Sequence, residues 1–226
     1  MTKKVKKTEA VKKKATVKKD TVKKVAAVKV SKKKTRKKKA DAVEAPAVVV
    51  RPDSMMAVLF DTETTGLVEN RTLPLERQPE VIEFYGCLAD LATGEIKREV
   101  DVLIRPKKMP LPPEITRITG ITDEMLEGKD GFFHAAPHIF KLIREAPLVI
   151  AHNVRFDMDV LEIETERLEE KIDWPRTLCT VEQTVHLKGF RLSLSNLHLH
   201  LFSEAFPGAH RAKVDTAGLL RCCVEL

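Results

Sequence analysis

No stretch of the 226-residue sequence reaches the roughly 18 apolar residues that a membrane-spanning helix needs, so the folded part is expected to be soluble. Cysteine is scarce: Cys87, Cys179, Cys222 and Cys223 show no CxxC spacing, and two are adjacent. That pattern suits reduced thiols in a cytosolic-type compartment better than disulfides or a zinc site. The first forty residues have no aromatic side chain and only two acids, Glu9 and Asp20, against eighteen lysines and Arg36. Their net charge is +17; with +7 for the whole chain, residues 41–226 carry −10. The basic character belongs entirely to this N-terminal stretch.

Within it, Val5, Val11, Val17 and Val22 are each followed by two or three lysines. So little apolar surface cannot offset chain entropy, and residues 1–40 are expected to form a disordered basic tail. No apolar core of a secretory signal follows the charges, and lysine stands where a transit peptide would favour arginine and serine. Two readings remain: the tail binds nucleic acid or another polyanion, or it is a solubilising arm. The run Lys32–Lys39 also matches a nuclear import signal in a eukaryotic cell. Residues 41–54, with Pro46 and Pro52, are expected to be a linker. Residues 55–226, about 170 in all, suffice for one domain with its own core.

The domain opens on Met56-Ala57-Val58-Leu59-Phe60, a short buried strand, followed at once by Asp61-Thr62-Glu63-Thr64-Thr65-Gly66-Leu67. Strand alternation puts Asp61 and Glu63 on one side, so two carboxylates share a small volume. Either both acids lie in water in a polar turn bent at Gly66, or a cation offsets their repulsion. Glu80–Ala89 and Ile96–Ile104, split by Thr93-Gly94, predict a hairpin. Ile115–Thr119 predicts a short helical turn stopped at Gly120, with a new N-cap at Thr122. Ala136–Glu145 reads as a helix with Pro137 in its first turn, and Pro147–Ala151 as another buried strand. Strands alternating with helices from there predict an α/β layer with a parallel part.

His152-Asn153-Val154-Arg155-Phe156-Asp157 then opens a helix running to about Glu170. Asp157 shares a stripe with Val160, Leu161 and Leu168, which aims a carboxylate at the core; Asp159, about 200° away, is the solvent-side acid. Alternatively, Asp157 is an ordinary first-turn acid facing the helix dipole. Thr180-Val181-Glu182-Gln183 has the capping-box pattern. Leu192, Leu194, Leu197, Leu199 and Leu201 are core candidates, while His134, His138, His186, His198 and His200 read as surface or packing histidines. The last group, Pro207-Gly208-Ala209-His210-Arg211-Ala212-Lys213-Val214-Asp215, runs into a final helix whose stripe Asp215, Leu219, Cys222 and Leu226 again aims an acid inward. His210, five residues earlier, reaches the same site only if it precedes the helix, and Pro207 and Gly208 favour a loop there. Arg211 and Lys213 are either phosphate contacts or solvated charges.

The three groups, Asp61–Leu67, His152–Asp157, and His210 with Asp215 five residues on, resemble in order and spacing the motifs of the DEDDh 3′–5′ exonuclease family. Within it, the likeness is to the proofreading subunit of the bacterial replicative polymerase and its stand-alone relatives. The resemblance implies a ribonuclease-H-like α/β fold: a mixed five-stranded sheet with helices on both faces, its first three strands antiparallel. It implies two Mg²⁺ or Mn²⁺ ions bound by Asp61, Glu63, Asp157 and Asp215. Ions about 3.5–4 Å apart activate a water on one side of phosphorus and stabilise the leaving 3′ oxygen on the other. His210 would take the proton, since an imidazole can be a neutral base at about pH 7–8. Thr64, Thr65, Gly66, Leu67, Asn153 and Phe156 would contact the terminal nucleotide. DNA is the expected substrate ahead of RNA, a DNA polymerase the implied partner, and a non-catalytic binding module the alternative. The implied location is cytoplasmic, at the nucleoid, in a bacterium or phage, and nuclear in a eukaryote. No separate partner-binding domain is expected after the last motif.

Overall fold

The computed structural model describes residues 54–206 and 208–226. The expected tail (1–40), nearly all of the expected linker (41–54) and Pro207 lie outside the described residues.

Strand β1 (Met56–Thr64) carries Ala57, Val58, Leu59 and Phe60, all without solvent exposure. A run that is apolar on both strand faces belongs in the middle of a covered sheet. It is the central strand of five, in the order β3-β2-β1-β4-β5, with β2 at Val81–Asp90, β3 at Glu95–Leu103, β4 at Leu148–Ala151 and β5 at Arg176–Cys179. β2 is antiparallel to β1 and β3; β4 is parallel to β1 and β5 to β4. The mixed sheet matches the expectation, and the hairpin strands start and stop within one residue of it. β5 had no signature, because its four residues Arg-Thr-Leu-Cys are exposed or half-buried and contain no apolar run.

Side-chain alternation then sorts the core into two layers. Val58 and Phe60 pack with Phe84 and Val149, and with residues of helices α3 (Phe132–Ile143) and α4 (Val154–Arg167). Ala57 and Leu59 face the other way, with Tyr85, Cys87 and Ile150, against Ala212, Leu219 and Leu220 of helix α8 (Ala212–Glu225). The period-two rule therefore continues past Phe60: Thr62 follows the α4 side, while Asp61 and Glu63 follow the α8 side. Between β3 and α3, α1 (Pro113–Thr119) stops at Gly120, left-handed at φ 70°, and Thr122 caps α2 (Asp123–Leu126) by accepting the N–H of Met125. Both features match the sequence reading. After β5 come the short helices α5 (Thr180–Gln183) and α6 (Val185–Lys188), then α7 (Leu194–Phe202) beside α8.

Several local expectations are corrected. Helix α3 begins at Phe132, four residues early, so Pro137 lies inside it rather than in its first turn. The ring removes the N–H that would bond the Phe133 carbonyl, but both residues are exposed and water can serve that oxygen. The capping box at Thr180 does not form: the N-cap is Cys179, and the Thr180 hydroxyl lies 2.9 Å from His152 Nδ1 instead. Leu199 and Leu226, expected in the core, are half exposed; His198 packs between Phe202 and Phe206, in keeping with its reading as a surface or packing histidine. Asp159 is not a free solvent-side acid; it is half-buried and paired with Arg155 and Arg71.

Gly86 in β2 sits where α3 comes closest to the sheet. A Cβ there would lie 2.9 Å from Leu142 Cδ2 and 3.0 Å from the Phe84 ring. Gly86→Val is expected to overpack this contact and to cost about 1–3 kcal/mol, read as a lower urea midpoint at unchanged slope. An unchanged midpoint would mean that α3 moves aside freely.

Candidate active site

The carboxylates gather where β1 ends. Register between β1 and β2 shifts at Glu63/Thr64, a bulge that re-aims the strand as it leaves the sheet. Carboxylate oxygens of Asp61, Glu63 and Asp215 all lie within 4.8 Å of one another, and among the described residues no other group of three His, Cys, Asp or Glu side chains converges in this way. Asp61 and Glu63 arrive on the α8 side of β1, and Asp215 arrives from the first turn of α8, so strand alternation and helix placement together make the cluster. Asp157 comes from the opposite face. Its buried carboxylate accepts the Thr62 hydroxyl at 2.7 Å and the Thr62 N–H at 3.1 Å, which ties α4 to the same strand end. It is near enough for its charge to act on Asp61.

Crowding and burial govern the protonation of these acids. Burial, then the charges of Asp157 and Asp215, hold Asp61 well above the ordinary carboxylate range. Burial and the Asp215 charge raise Glu63 to about 8, with the nearby Arg211 pulling the other way. Burial raises Asp157 to about 7 against the two Thr62 hydrogen bonds, and it raises Asp215 as well. Several half-buried carboxylates in one small volume, lacking cationic partners of their own, form a donor set of hard oxygens suited to divalent cations.

His210 lies two residues before α8, outside the helix as expected, in the left-handed region at φ 72° and exposed. That conformation is unfavourable for a side chain of this kind. It is held by the His210 N–H, which donates to Asp215 Oδ2 at 2.8 Å. The loop histidine and the inward acid are thus bonded directly. His152 belongs to a different network: Thr180 and the Leu192 carbonyl flank its ring, and burial lowers its pKa.

Beside the acids opens a cavity of about 880 Å³. Thr62 to Leu67 and Phe156 form one wall, and Pro110, Pro112, Ile115, Ile118 and Thr119 the other. Leu67 is 77% exposed, which removes the possibility that it is a core residue. A Cβ added to Gly66 would meet nothing within 4 Å, so this residue leaves room on the cavity side. The Thr64 hydroxyl donates to the Gly66 carbonyl and the Thr65 hydroxyl accepts the Glu80 N–H, so both shape the turn. Asn153 is exposed and left-handed at the start of α4, and is not among the residues lining the cavity.

Glu83 escaped the sequence reading. It is buried at 1% exposure, directly across from Glu63 in the β1–β2 register, and it binds Arg211 through both carboxylate oxygens. A lone acid inside the apolar run Val81-Ile82-Glu83-Phe84-Tyr85 was the available signal. Lys213 is likewise engaged, by Asp101 at 2.9 Å. Both cations have acidic partners, Arg211 in a partly buried fork and Lys213 in an ion pair at the exposed surface.

For raised carboxylates, more protons are bound in the folded than in the unfolded state, so stability is greatest below the ordinary carboxylate range and falls as pH rises toward about 8. In chelator, the melting temperature is therefore expected to fall between about pH 5 and 8, and Mn²⁺ or Mg²⁺ should offset the loss at the alkaline end. The same decline with and without the cation would argue against a shared ion site.

Comparison with known proteins agrees with this geometry. The RNase T family profile, described as "Exonuclease", matches residues 58–221. The DNA polymerase III subunit epsilon of Treponema pallidum is 31% identical over 171 residues, covering 74% of this chain and 72% of that subunit. The Escherichia coli subunit of that name is 30% identical over 128 residues, covering 57% of this chain and 51% of its own length. Among solved structures, the nuclease domain of 3'hExo, a DEDDh family member bound to rAMP, superposes with a TM-score of 0.64 at 17% identity over 77% of this chain and 92% of that one. Exonuclease X in complex with 5′ overhanging duplex DNA gives 0.54 at 23% identity, over 74% and 89%. At these identities the structural likeness speaks for the fold, and the sequence matches speak for the family. With Asp61, Glu63 and Asp215 gathered at the end of β1 and the profile spanning nearly the whole described domain, the chain belongs to the exonuclease family.

Proposed function

We propose that the domain removes nucleotides from the 3′ end of DNA, acting on single-stranded or frayed ends and releasing 5′-mononucleotides. The observation that carries this reading is the convergence of Asp61, Glu63 and Asp215 within 4.8 Å, beside a cavity open at the turn of Gly66 and Leu67. Asp61, Glu63, Asp157 and Asp215 would hold two divalent cations, Mg²⁺ or Mn²⁺. Bound there, the ions supply the Lewis acidity that makes water a nucleophile and stabilises the leaving 3′ oxygen. His210 takes the attacking water's proton on an imidazole nitrogen as the new P–O bond forms and the P–O3′ bond breaks. Its exposed position at the rim, anchored to Asp215 by its own N–H, suits a group that must exchange that proton with solvent.

Leu67 and Phe156 offer apolar surface to the terminal base, and the turn of Thr64, Thr65 and Gly66 lies along the terminal nucleotide, with Asn153 at the adjacent start of α4. DNA is favoured over RNA because the polymerase III epsilon relatives are named for DNA synthesis, and association with a DNA polymerase follows from the same likeness. In a bacterial cell such a protein works in the cytoplasm, at the nucleoid. Among the described residues no helix is long and apolar enough to cross a membrane.

A digestion of 3′-terminated strands labelled at the 5′ end tests the assignment. The native protein is expected to shorten DNA stepwise in Mg²⁺ and to stop in chelator, and Asp61→Ala to lose at least about 10²–10³-fold in rate, as when a key charge-stabilising group is removed. Equal shortening by both proteins, or by neither, overturns the assignment; shortening of RNA alone moves the substrate to RNA.

The basic stretch, residues 1–40, completes the reading. With the −2 of residues 41–54 set aside, the domain carries −8 and is poorly matched to a polyanion outside its ion site, and a +17 arm would hold substrate nearby. Deleting residues 1–40 should weaken single-strand binding and flatten its salt dependence, each lost phosphate contact removing about 0.7 from the log–log slope. An unchanged slope would reduce the stretch to a solubilising role.

A further inference from the structure

Glu83 and Arg211 lie outside the acids and histidine used above, yet they form a forked ion pair beside them. Arg211 Nε donates to both oxygens of Glu83 at 3.1 Å, and Nη2 donates to Oε1 at 2.6 Å. Oε2 also accepts the N–H of Ala212 at 2.9 Å. Arg211 is the N-cap of α8 and makes no side-chain cap bond of its own, so a carboxylate from the sheet does that work for the helix. The carboxylate's strand neighbour is Glu63, and the arginine's chain neighbour is His210. One rigid link therefore joins the strand that carries a metal-binding acid to the loop that carries the base.

The side chain of Glu83 is 2% exposed. A buried ion pair is seldom worth more to stability than an apolar pair of the same size, because both charges must leave water. What a planar two-pronged pair does supply is orientation, since only one mutual geometry satisfies both prongs. His210 is suited to such a constraint: its left-handed backbone is uncommon outside glycine, and among the described residues its own N–H bond to Asp215 holds it from the other side. We propose that Glu83 and Arg211 are positioning residues, which hold the loop so that His210 stays within reach of the acids at the end of β1. Arg211 on this view acts through Glu83, which occupies its Nε–Nη2 edge, and not on the phosphates of the substrate. The proposal rests on the exonuclease reading of the site.

The test uses the full chain with Glu83→Gln, Arg211→Ala, Arg211→Lys and the double variant Glu83→Gln/Arg211→Ala. In Mg²⁺ with a single-stranded DNA substrate, kcat is expected to fall by about 10–100-fold in Glu83→Gln and Arg211→Ala, with KM nearly unchanged. Arg211→Lys should recover little, because an ammonium cannot fork. Added guanidinium ion should restore kcat in Arg211→Ala and fail to do so in the double variant. Hydrogen exchange without metal gives a second readout: the amides of His210 and Ala212 should lose protection in Arg211→Ala, while those of β1 and β2 keep theirs. A raised KM at constant kcat would make Arg211 a substrate contact and overturn the proposal, as would native kcat with native exchange. If instead the native protein degrades no 3′ end at all, the exonuclease reading fails, and the exchange result still decides whether the link orders the loop.

Discussion

Like charges brought together in a partly buried space set the terms for this protein. Asp61, Glu63 and Asp215 place oxygens within 4.8 Å of one another, and Asp157 adds its charge from across the strand. Each of the four is pushed toward its protonated form by loss of water before any neighbour's charge is counted. Such an arrangement lowers the stability of the empty domain at neutral pH. The same oxygens are the donor set that hard cations prefer, so the instability of the empty cluster and its suitability for such ions have a common origin.

Everything around the cluster serves to hold it in place. β1 is the central strand, with neighbours on both edges and helices on both faces, so its end cannot drift. Two carboxylates leave it on the α8 side, where α8 begins with Asp215 in its first turn. From the other face, Thr62 fastens Asp157 through two hydrogen bonds and so fixes α4 to the strand. The loop before α8 is bonded at both ends, His210 to Asp215 and Arg211 to Glu83. Repulsion at the centre is balanced by a frame with many attachments, which is how a strained constellation survives in a folded domain.

The motif positions were readable because their signals are local. An apolar strand run ending in Asp-Thr-Glu, an acid on the buried stripe of a helix, and a histidine in loop context before an inward acid each need only short-range periodicity. The structure places Asp61 and Glu63 near the end of β1, Asp157 buried on α4, Asp215 in the first turn of α8 and His210 just before that helix, as those periodicities predict. Where the reading missed, the deciding contact came from far along the chain. Thr180 looked like a helix cap, but the buried His152, 28 residues earlier, lies at its hydroxyl. Arg211 reads as a solvated charge or a phosphate contact, but Glu83, more than a hundred residues away, holds it in a fork, while Lys213 pairs with Asp101 and stays exposed. β5 has no apolar pattern of its own and exists because β4 offers it an edge.

The sequence by itself determined the separation of a +17 basic stretch from an acidic remainder, the apolar run of the central strand, and the candidacy of four acids and a histidine for one site. Charge counts and side-chain periodicities are properties of neighbours along the chain, and they survive without coordinates. Only the tertiary structure decided that three of the acids meet while the fourth is held by Thr62, that Leu67 is exposed beside a cavity, and that Glu83 reaches the loop of His210. Those facts depend on which faces of which elements are pressed together. That is settled by the packing of both sheet faces at once, a condition no local stretch of sequence contains.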